Sequence, residues 1–320
     1  MQVLNKKLDQ DIAGLWPVLA RDAGLDPAFY HWNEHWPARR KRPMARVEQF
    51  VSETGHAVVL KMVDQPRDTA QFASMVAAQD RASQAMAGAT KVPAVLASRD
   101  EAQALLMQSV AGPTLFQALE DAEDHTVWLR RAGRWLTTFH RTGWKQEMLF
   151  RPGFNIKYLE GLLSDTSKVP EADTFEALSR IALDRLPQFT DRVTQTAWAH
   201  GDANFHNMLW DDGTLWGIDI NRVHSAPIGY DVAWLLLHYA VNFVELDRLK
   251  PGQAVPKKAR DAFFEGYDLA GYDDPSVQTV LTVRLLNDWV RFPRNLDKLS
   301  ITKRMRFERQ KAVIRNILSA

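Results

Sequence analysis

Apolar positions along the chain predict several amphipathic helices. In the first of them, Leu8, Ile12, Leu15 and Leu19 return every three or four residues, which is the spacing of one face of a helix. Similar stripes recur further along the chain, and together these segments predict helices at residues 8–23, 70–87, 128–139, 155–163 and 174–186. Thr114 is a suitable N-cap for one more helix that begins near Leu115.

Shorter apolar runs predict strands, most of them near the start of the chain. Strands are predicted at residues 44–51, 57–63, 92–96, 104–110, 208–211 and 214–217. The first two flank the turn-rich segment Ser52–His56, which indicates a hairpin. The last two flank Asp212-Gly213, a dipeptide that tolerates positive φ at both turn positions and so favours a two-residue hairpin.

Composition narrows the class of protein. Of 320 residues, 46% are hydrophobic and 25% are charged, as in an ordinary soluble globular protein, and the length exceeds one typical core and predicts two lobes. The net charge of +1 gives no general case for nucleic acid or a membrane surface as a partner. There is no cysteine, which excludes disulfides and thiolate metal sites. We expect a monomer or a homodimer.

Neither end of the chain changes this interpretation. The first residues lack the apolar run of a signal peptide, and no stretch of 18 apolar residues occurs, so a cytoplasmic protein is expected. The longest apolar run, Val232–Val244, is too short to cross a bilayer and is predicted to be a buried helix. The segment after Arg291 is rich in Arg and Lys and is predicted to be a solvated helix face.

The candidate chemistry lies in one segment. His200-Gly201-Asp202 is followed by Asn207, five positions after the aspartate, and Asp219 closes the segment. The predicted hairpin brings Asn207 and Asp219 to its open end, beside the loop that carries Asp202. An amide oxygen and a carboxylate suit a hard cation such as Mg²⁺, which keeps some water and takes few protein ligands.

This order of residues resembles the protein-kinase catalytic loop followed by its metal-binding strand. The tripeptide His-Gly-Asp resembles the motif of the aminoglycoside phosphotransferase and choline kinase branch, which phosphorylates small molecules. Pro227–Ala233 is similar to the Asp-x-Ala helix start of that branch. The resemblance implies an α+β, bilobal protein-kinase-like fold. A small antiparallel β-sheet lobe, residues 1–108, would bind nucleotide, and a larger, mainly α-helical lobe, residues 109–320, would hold the catalytic and substrate sites.

The resemblance also implies roles for these residues. Asp202 would accept or orient the proton of the substrate hydroxyl, a task worth roughly 10²–10⁴-fold in rate. Asn207 and Asp219 would hold Mg²⁺ against the phosphates of ATP or another nucleoside triphosphate. His200 would fix the loop structurally, and Asp231 would cap the next helix while accepting hydrogen bonds from the loop backbone.

Residues of the small lobe would bind the nucleotide. Lys61 resembles the kinase strand lysine that contacts phosphates, and Val59, on the same face of the strand, lies where a residue covers adenine. Backbone groups of Gln108 and Val110 would meet the adenine edge at the hinge between the lobes. In the family a helix glutamate pairs with the strand lysine; here Gln79 and Asp80 are the alternatives, and Asp80 is slightly favoured.

One departure from the family concerns the phosphate-covering loop. Kinases have a glycine-rich loop between their first two strands, yet residues 26–54 contain no glycine. Without glycine, backbone amides approach phosphates less freely. Either the basic loop Arg39–Arg42 substitutes side chains for amides, or Lys61 and the metal hold most of the nucleotide.

The segment from residue 150 to 195 is predicted to shape the substrate site. Arg151, Asn155, Lys157 and Tyr158 are candidate substrate contacts, with simple surface charge as the alternative. The predicted function is transfer of the γ-phosphoryl group of ATP to a hydroxyl of a small metabolite, namely a sugar, an amino sugar or an amino alcohol. A catalytically impaired nucleotide-binding scaffold is the alternative. A protein kinase is disfavoured, because residues 219–231 leave no room for a long activation segment.

Overall fold

A computed structural model of the chain describes residues 8–35, 45–63, 68–143, 146–220 and 225–319. The predicted basic loop Arg39–Arg42 and the predicted strand start Met44 lie outside these ranges. The chain forms two compact units: unit 1 is Met1–Gly112 with Leu209–Ile220, and unit 2 is Pro113–Met208 with Asn221–Ala320. The units are not consecutive in sequence, since residues 209–220 group with the first. The predicted domain boundary after residue 108 stays a prediction.

Unit 1 is built on a five-stranded antiparallel sheet with the strand order β1-β2-β3-β6-β5. Its core lies under helix α1, where Ile12 and Leu19 are fully buried and Trp16 stacks on Phe50 of the sheet at 3.9 Å between ring centroids. The elements up to the end of this sheet are α1 (Gln10–Asp22), β1 (Tyr30–Trp32), β2 (Ala45–Ser52), β3 (Ala57–Val63), α2 (Thr69–Ala85), β4 (Thr90–Lys91), β5 (Val95–Arg99) and β6 (Ala104–Gln108).

A second sheet completes unit 1. It contains β9 (Met208–Asp211) and β10 (Thr214–Gly217), and β4 pairs with β10 in parallel. Asp212 has φ of 40° and Gly213 has φ of 77°, so both turn residues are left-handed and the predicted two-residue hairpin is confirmed.

Unit 2 is mainly helical and carries a three-stranded antiparallel sheet of order β11-β8-β7. Its elements are α3 (Leu115–Glu120), α4 (Thr126–Thr142), β7 (Gln146–Leu149), α5 (Gly153–Leu163), α6 (Ala172–Arg185), β8 (Val193–Trp198), β11 (Ser225–Pro227), α7 (Gly229–Phe243), α8 (Lys257–Gly266), α9 (Pro275–Trp289) and α10 (Ile301–Ile317). Thr114 caps α3 in a reciprocal capping box with Gln117, as its position predicts.

The predicted helices are confirmed to within a few residues, except that the basic segment after Arg291 becomes α-helical only at Ile301. Several strands have no sequence signal. Strand β5 begins at Val95 instead of Val92, after the proline at position 93. Strands β1, β4, β7 and β11 have two to four residues each, too few for a periodic pattern to show. Among the described residues, no helix is long and apolar enough to span a membrane.

Candidate active site

The loop between β8 and β9 holds Asp202 through two asparagine side chains. Asn207 donates from its amide nitrogen to the main-chain oxygen of Asp202 at 2.9 Å and to Asp202 Oδ2 at 3.0 Å. Asn204 donates to the same main-chain oxygen at 3.0 Å and accepts a hydrogen bond from the His206 amide at 2.9 Å. These contacts use the nitrogen of the Asn207 amide, so its oxygen is the atom that remains to bind a ligand.

Asp231 anchors the start of the same loop. Its Oδ2 accepts the His200 amide at 2.6 Å, and its Oδ1 accepts the Gly201 amide at 3.1 Å. The prediction that Asp231 caps the next helix is wrong, because Asp231 lies inside the first turn of α7, whose N-cap is Ile228 without a side-chain cap hydrogen bond. His140 meets Oδ2 through Nε2 at 3.1 Å. Burial alone would raise the pKa of Asp231, but the hydrogen bonds from the His140 ring and from the His200 amide help to outweigh burial and hold that pKa below its ordinary value. Asp231 is therefore a buried carboxylate that fixes the loop backbone.

His200 is buried, and its structural role stays a prediction. It is 1% exposed, and its ring packs edge-on against Trp135 and Phe139, each at 5.7 Å between centroids. Its Nδ1 accepts a hydrogen bond from the Asp202 amide at 3.3 Å. The ring thus joins the core of unit 2 to the backbone of Asp202.

In unit 1, the strand lysine is paired with the last aspartate of the motif. Lys61 Nζ forms an ion pair with Asp219 Oδ1, and the lysine side chain is 12% exposed. Lys61 pairs across the sheet with Leu105, and Val59, on the same face of β3, pairs with Met107. Asp219 has φ of 65°, a left-handed conformation that is uncommon outside glycine and concentrates at functional sites.

The lysine partner differs from the one that the sequence favours. Asp80 accepts a hydrogen bond from Gln84 at 2.9 Å, and Gln79 is buried, where it donates to the Pro93 carbonyl at 3.1 Å. Both residues of α2 are engaged locally, while Lys61 pairs with Asp219. A nucleotide-binding role for Asp80 stays a prediction.

The remaining predicted residues lie in different surroundings. Gln108 donates its amide to the Ala94 carbonyl at 3.0 Å, and Val110 follows the end of β6. Their contacts with the adenine edge stay predictions. Arg151 and Lys157 are exposed, and Arg151 forms an ion pair with Asp191 at 3.5 Å.

Three candidate substrate residues, Asn155, Lys157 and Tyr158, lie on α5, and their exposure differs. Asn155 is 7% exposed and accepts a hydrogen bond from the Tyr230 hydroxyl at 3.4 Å. Tyr158 is 43% exposed and stacks on Phe154. Substrate roles for all four predicted residues stay predictions.

The two predicted metal ligands, Asn207 in unit 2 and Asp219 in unit 1, each carry an oxygen donor of the kind that a hard cation takes. Among the described residues, no group of three or more His, Cys, Asp and Glu side chains is arranged to hold a metal ion. Asn207 offers an amide oxygen, and Asp219 offers a carboxylate whose side chain is 38% exposed. Oxygen ligands in small number are what Mg²⁺ accepts, because it keeps several of its waters.

Sequence reasoning missed two supporting residues. Asn204 was not singled out, although an asparagine two residues after an aspartate and just before a short turn is a common capping signal. His140 is the second, and it contacts both Asp231 and the Tyr267 hydroxyl. Its partners lie 91 and 127 residues away, so no local pattern indicates them.

Comparison with solved structures identifies the fold class of the protein. Several solved kinases share the fold. The amicoumacin kinase hAmiN, solved with AMP-PNP, Ca²⁺ and Ami, is 15% identical over 96% of this chain and 93% of its own, with a TM-score of 0.58. A choline/ethanolamine kinase family protein from Mesorhizobium loti is 16% identical over 84% and 85% of the two chains, with a TM-score of 0.54. The fold is therefore that of the protein-kinase-like phosphotransferases.

The family follows from the sequence. Residues 45–275 match the phosphotransferase enzyme family, APH, and the chain belongs to that family. A curated relative, Stress response kinase A of Salmonella choleraesuis, is 29% identical over 235 residues, and a relative from Salmonella typhimurium with the same identity is named serine/threonine protein kinase RdoA. The match covers 68% of this chain and 63% of the relatives' length.

Proposed function

We propose that this protein is a kinase that transfers the γ-phosphoryl group of ATP, or of another nucleoside triphosphate, to a hydroxyl of a small metabolite. The observation that carries the proposal is the loop geometry around Asp202. Its main chain and carboxylate are fixed by Asn207, and the residues just before it are fixed by Asp231. Such rigid support is what a group that orients a reacting hydroxyl needs.

The reaction assigns one task to each residue. Asp202 accepts the proton of the acceptor hydroxyl as that oxygen bonds to the γ-phosphorus, while the bond between the γ-phosphorus and the β–γ bridging oxygen breaks and ADP leaves. Asn207 and Asp219 are the proposed ligands of Mg²⁺. When bound, that ion neutralises phosphate charge. Lys61 adds a positive charge for the phosphates, and Val59 with the backbone of Gln108 and Val110 binds the base.

The proposed class of acceptor is supported by the names of solved structures that share the fold. Structures that share the fold are named for kinases of small molecules, among them amicoumacin and glucosamine kinases. A sugar, amino sugar or amino alcohol is therefore the proposed acceptor. Arg151, Asn155, Lys157 and Tyr158 are proposed to contact it.

A second candidate acceptor is the hydroxyl of a protein serine or threonine. One observation favours it: the relative from Salmonella typhimurium carries the name of a serine/threonine protein kinase. The chemistry at Asp202 would be the same, because both acceptors are alcohols. The two candidate acceptors differ in the molecule that carries the hydroxyl, which is a small metabolite in one case and a protein in the other.

The test is Mg²⁺-dependent ATP consumption against pooled hydroxyl metabolites and, separately, against protein substrates. Asp202→Asn should lower turnover by about 10²–10⁴-fold while ATP binding persists. Asp184→Asn, on the exposed face of α6, is the matched control and should keep full activity. Full activity in Asp202→Asn would refute the mechanism. ATP binding without turnover on either substrate class would favour the nucleotide-binding scaffold.

A further inference from the structure

A buried chain of hydrogen bonds leads from α8 to the catalytic loop. The Tyr267 hydroxyl lies 2.9 Å from His140 Nδ1, and His140 Nε2 lies 3.1 Å from Asp231 Oδ2. Asp231 in turn accepts the amides of His200 and Gly201. Tyr267 and His140 are each 1% exposed, and Asp231 is 3% exposed. The proton positions in this chain are therefore set by the protein and not by water.

The protons can be assigned from the partners. A neutral histidine carries one N–H and one lone pair. Asp231 is an anion that accepts hydrogen bonds, so Nε2 must carry the proton that faces it. Nδ1 is then an acceptor, and it needs a donor, which the Tyr267 hydroxyl supplies. Burial, and then Asp231, Asp274 and Asp268, raise the pKa of Tyr267 well above its ordinary value, so that the hydroxyl keeps its proton.

Close packing of two helices places Tyr267 at this point. A Cβ atom at Gly133 of α4 would lie 2.2 Å from the Phe263 carbonyl oxygen, and one at Gly266 would lie 2.0 Å from the Arg130 carbonyl oxygen. The two backbones can approach this closely only because both positions are glycine. Tyr267 directly follows Gly266, and its ring stacks on Phe263 at 5.9 Å. The hydroxyl is thus aimed at His140 by the backbone crossing.

We propose that Tyr267 is a positioning residue for the catalytic loop. By donating to Nδ1, it holds His140 in the tautomer with the proton on Nε2, and that N–H keeps the Asp231 carboxylate under the amides of His200 and Gly201. The role in turnover rests on the proposed kinase function. The role in holding the loop does not, because it can be observed without a substrate. The other ionisable groups that face this chain are His200, Asp268 and Asp274.

Two variants that each remove one hydroxyl test the proposal. Tyr267→Phe keeps the ring and loses the donor to His140. Tyr239→Phe is the matched control, since the Tyr239 hydroxyl also lies 2.9 Å from a histidine Nδ1, that of His125 in the same unit, but this histidine does not touch Asp231. Three experiments are run at pH 8, and they give the ¹⁵N chemical shifts of the His140 ring, the amide exchange at His200 and Gly201, and the steady-state kinetics with kcat and KM for ATP.

In the wild type, His140 Nδ1 should show the shift of an unprotonated nitrogen and Nε2 that of an N–H. In Tyr267→Phe, exchange at His200 and Gly201 should rise and kcat should fall, each by about 3- to 10-fold as for one hydrogen bond, while KM for ATP stays within about twofold. Tyr239→Phe should leave all three unchanged.

Three results would overturn the proposal. The first is a wild-type His140 with its proton on Nδ1. The second is unchanged exchange at His200 and Gly201 in Tyr267→Phe. The third is an equal loss of kcat in both variants. The wild-type spectrum decides the point even where Tyr267→Phe does not fold. A wild type without kinase activity would count against the proposed function and leave the spectrum and the exchange to decide the role of Tyr267.

Discussion

Replacing Asp231 by asparagine removes one acceptor from a fully enclosed site. The carboxylate accepts the amides of His200 and Gly201 and faces Nε2 of His140. Its side chain is 5% exposed, so water cannot replace a lost partner. The asparagine has the same shape, but its NH₂ group must point at one of these donors, which brings two donors face to face.

The size of the effect follows from counting those groups. One backbone amide and the NH₂ of the new asparagine lose a partner in Asp231→Asn, and a buried polar group without a partner costs about 1–3 kcal/mol. For two such groups we therefore expect the free energy of unfolding to fall by about 2–6 kcal/mol. Because these amides hold the loop before Asp202, kcat should fall by about 10²-fold as well.

Urea unfolding of wild type and Asp231→Asn, followed by tryptophan fluorescence, measures the difference in the free energy of unfolding. The pKa of Asp231 is lowered by folding, so the ionised group stabilises the folded state above its unfolded pKa of about 3.8, and this contribution is lost as the pH falls through the folded pKa. The gap between the two proteins, meaning the difference in their free energies of unfolding, should stay constant from pH 8 to about pH 5 and narrow below about pH 3.8. A gap under about 0.5 kcal/mol at pH 7, or one that widens in acid, would refute the reasoning. Asp184→Asn should show no gap.

Three further predictions follow from single sites. Burial, and then the charges of His206 and Arg306, lower the pKa of His238 to about 3, so unfolding takes up a proton below about pH 6.5. This proton uptake lowers the free energy of unfolding between pH 7 and pH 4, and His238→Phe should remove about 3 kcal/mol of that loss. An unchanged dependence on pH in urea titrations of the variant would contradict this. Gly112→Ala should lower the melting temperature, because φ is 92° and the added Cβ would lie 2.2 Å from the Trp210 carbonyl oxygen. Gly161→Ala is the control and should not lower it, since the space around Gly161 is open. Equal melting temperatures of the two variants would argue against the close approach at Gly112. Lys61→Met should lower kinase turnover by about 10²-fold through loss of the charge for the phosphates, and wild-type turnover in that variant would remove Lys61 from the proposed site.

The helices and the central hairpin could be predicted because their signals are local. An α-helix repeats every 3.6 residues, so about a dozen positions are enough for the apolar pattern to predict α1 and α4. The β9–β10 turn depends on two residues that accept positive φ, and Asp212-Gly213 supplies both. The spacing of Asp202 and Asn207 was also informative, since five residues of loop suffice to bring one side chain back onto the other.

Residues close together in the chain are enough to predict the family motif, the helices and the hairpin. The partners of the charged groups depend instead on the tertiary structure. Lys61 and Asp219 are 158 residues apart, and the choice of Asp219 over Asp80 depends on where β3 and β10 lie in space. The link from Tyr267 through His140 to Asp231 likewise joins three helices. Such contacts arise from packing, and packing is decided by the whole chain at once.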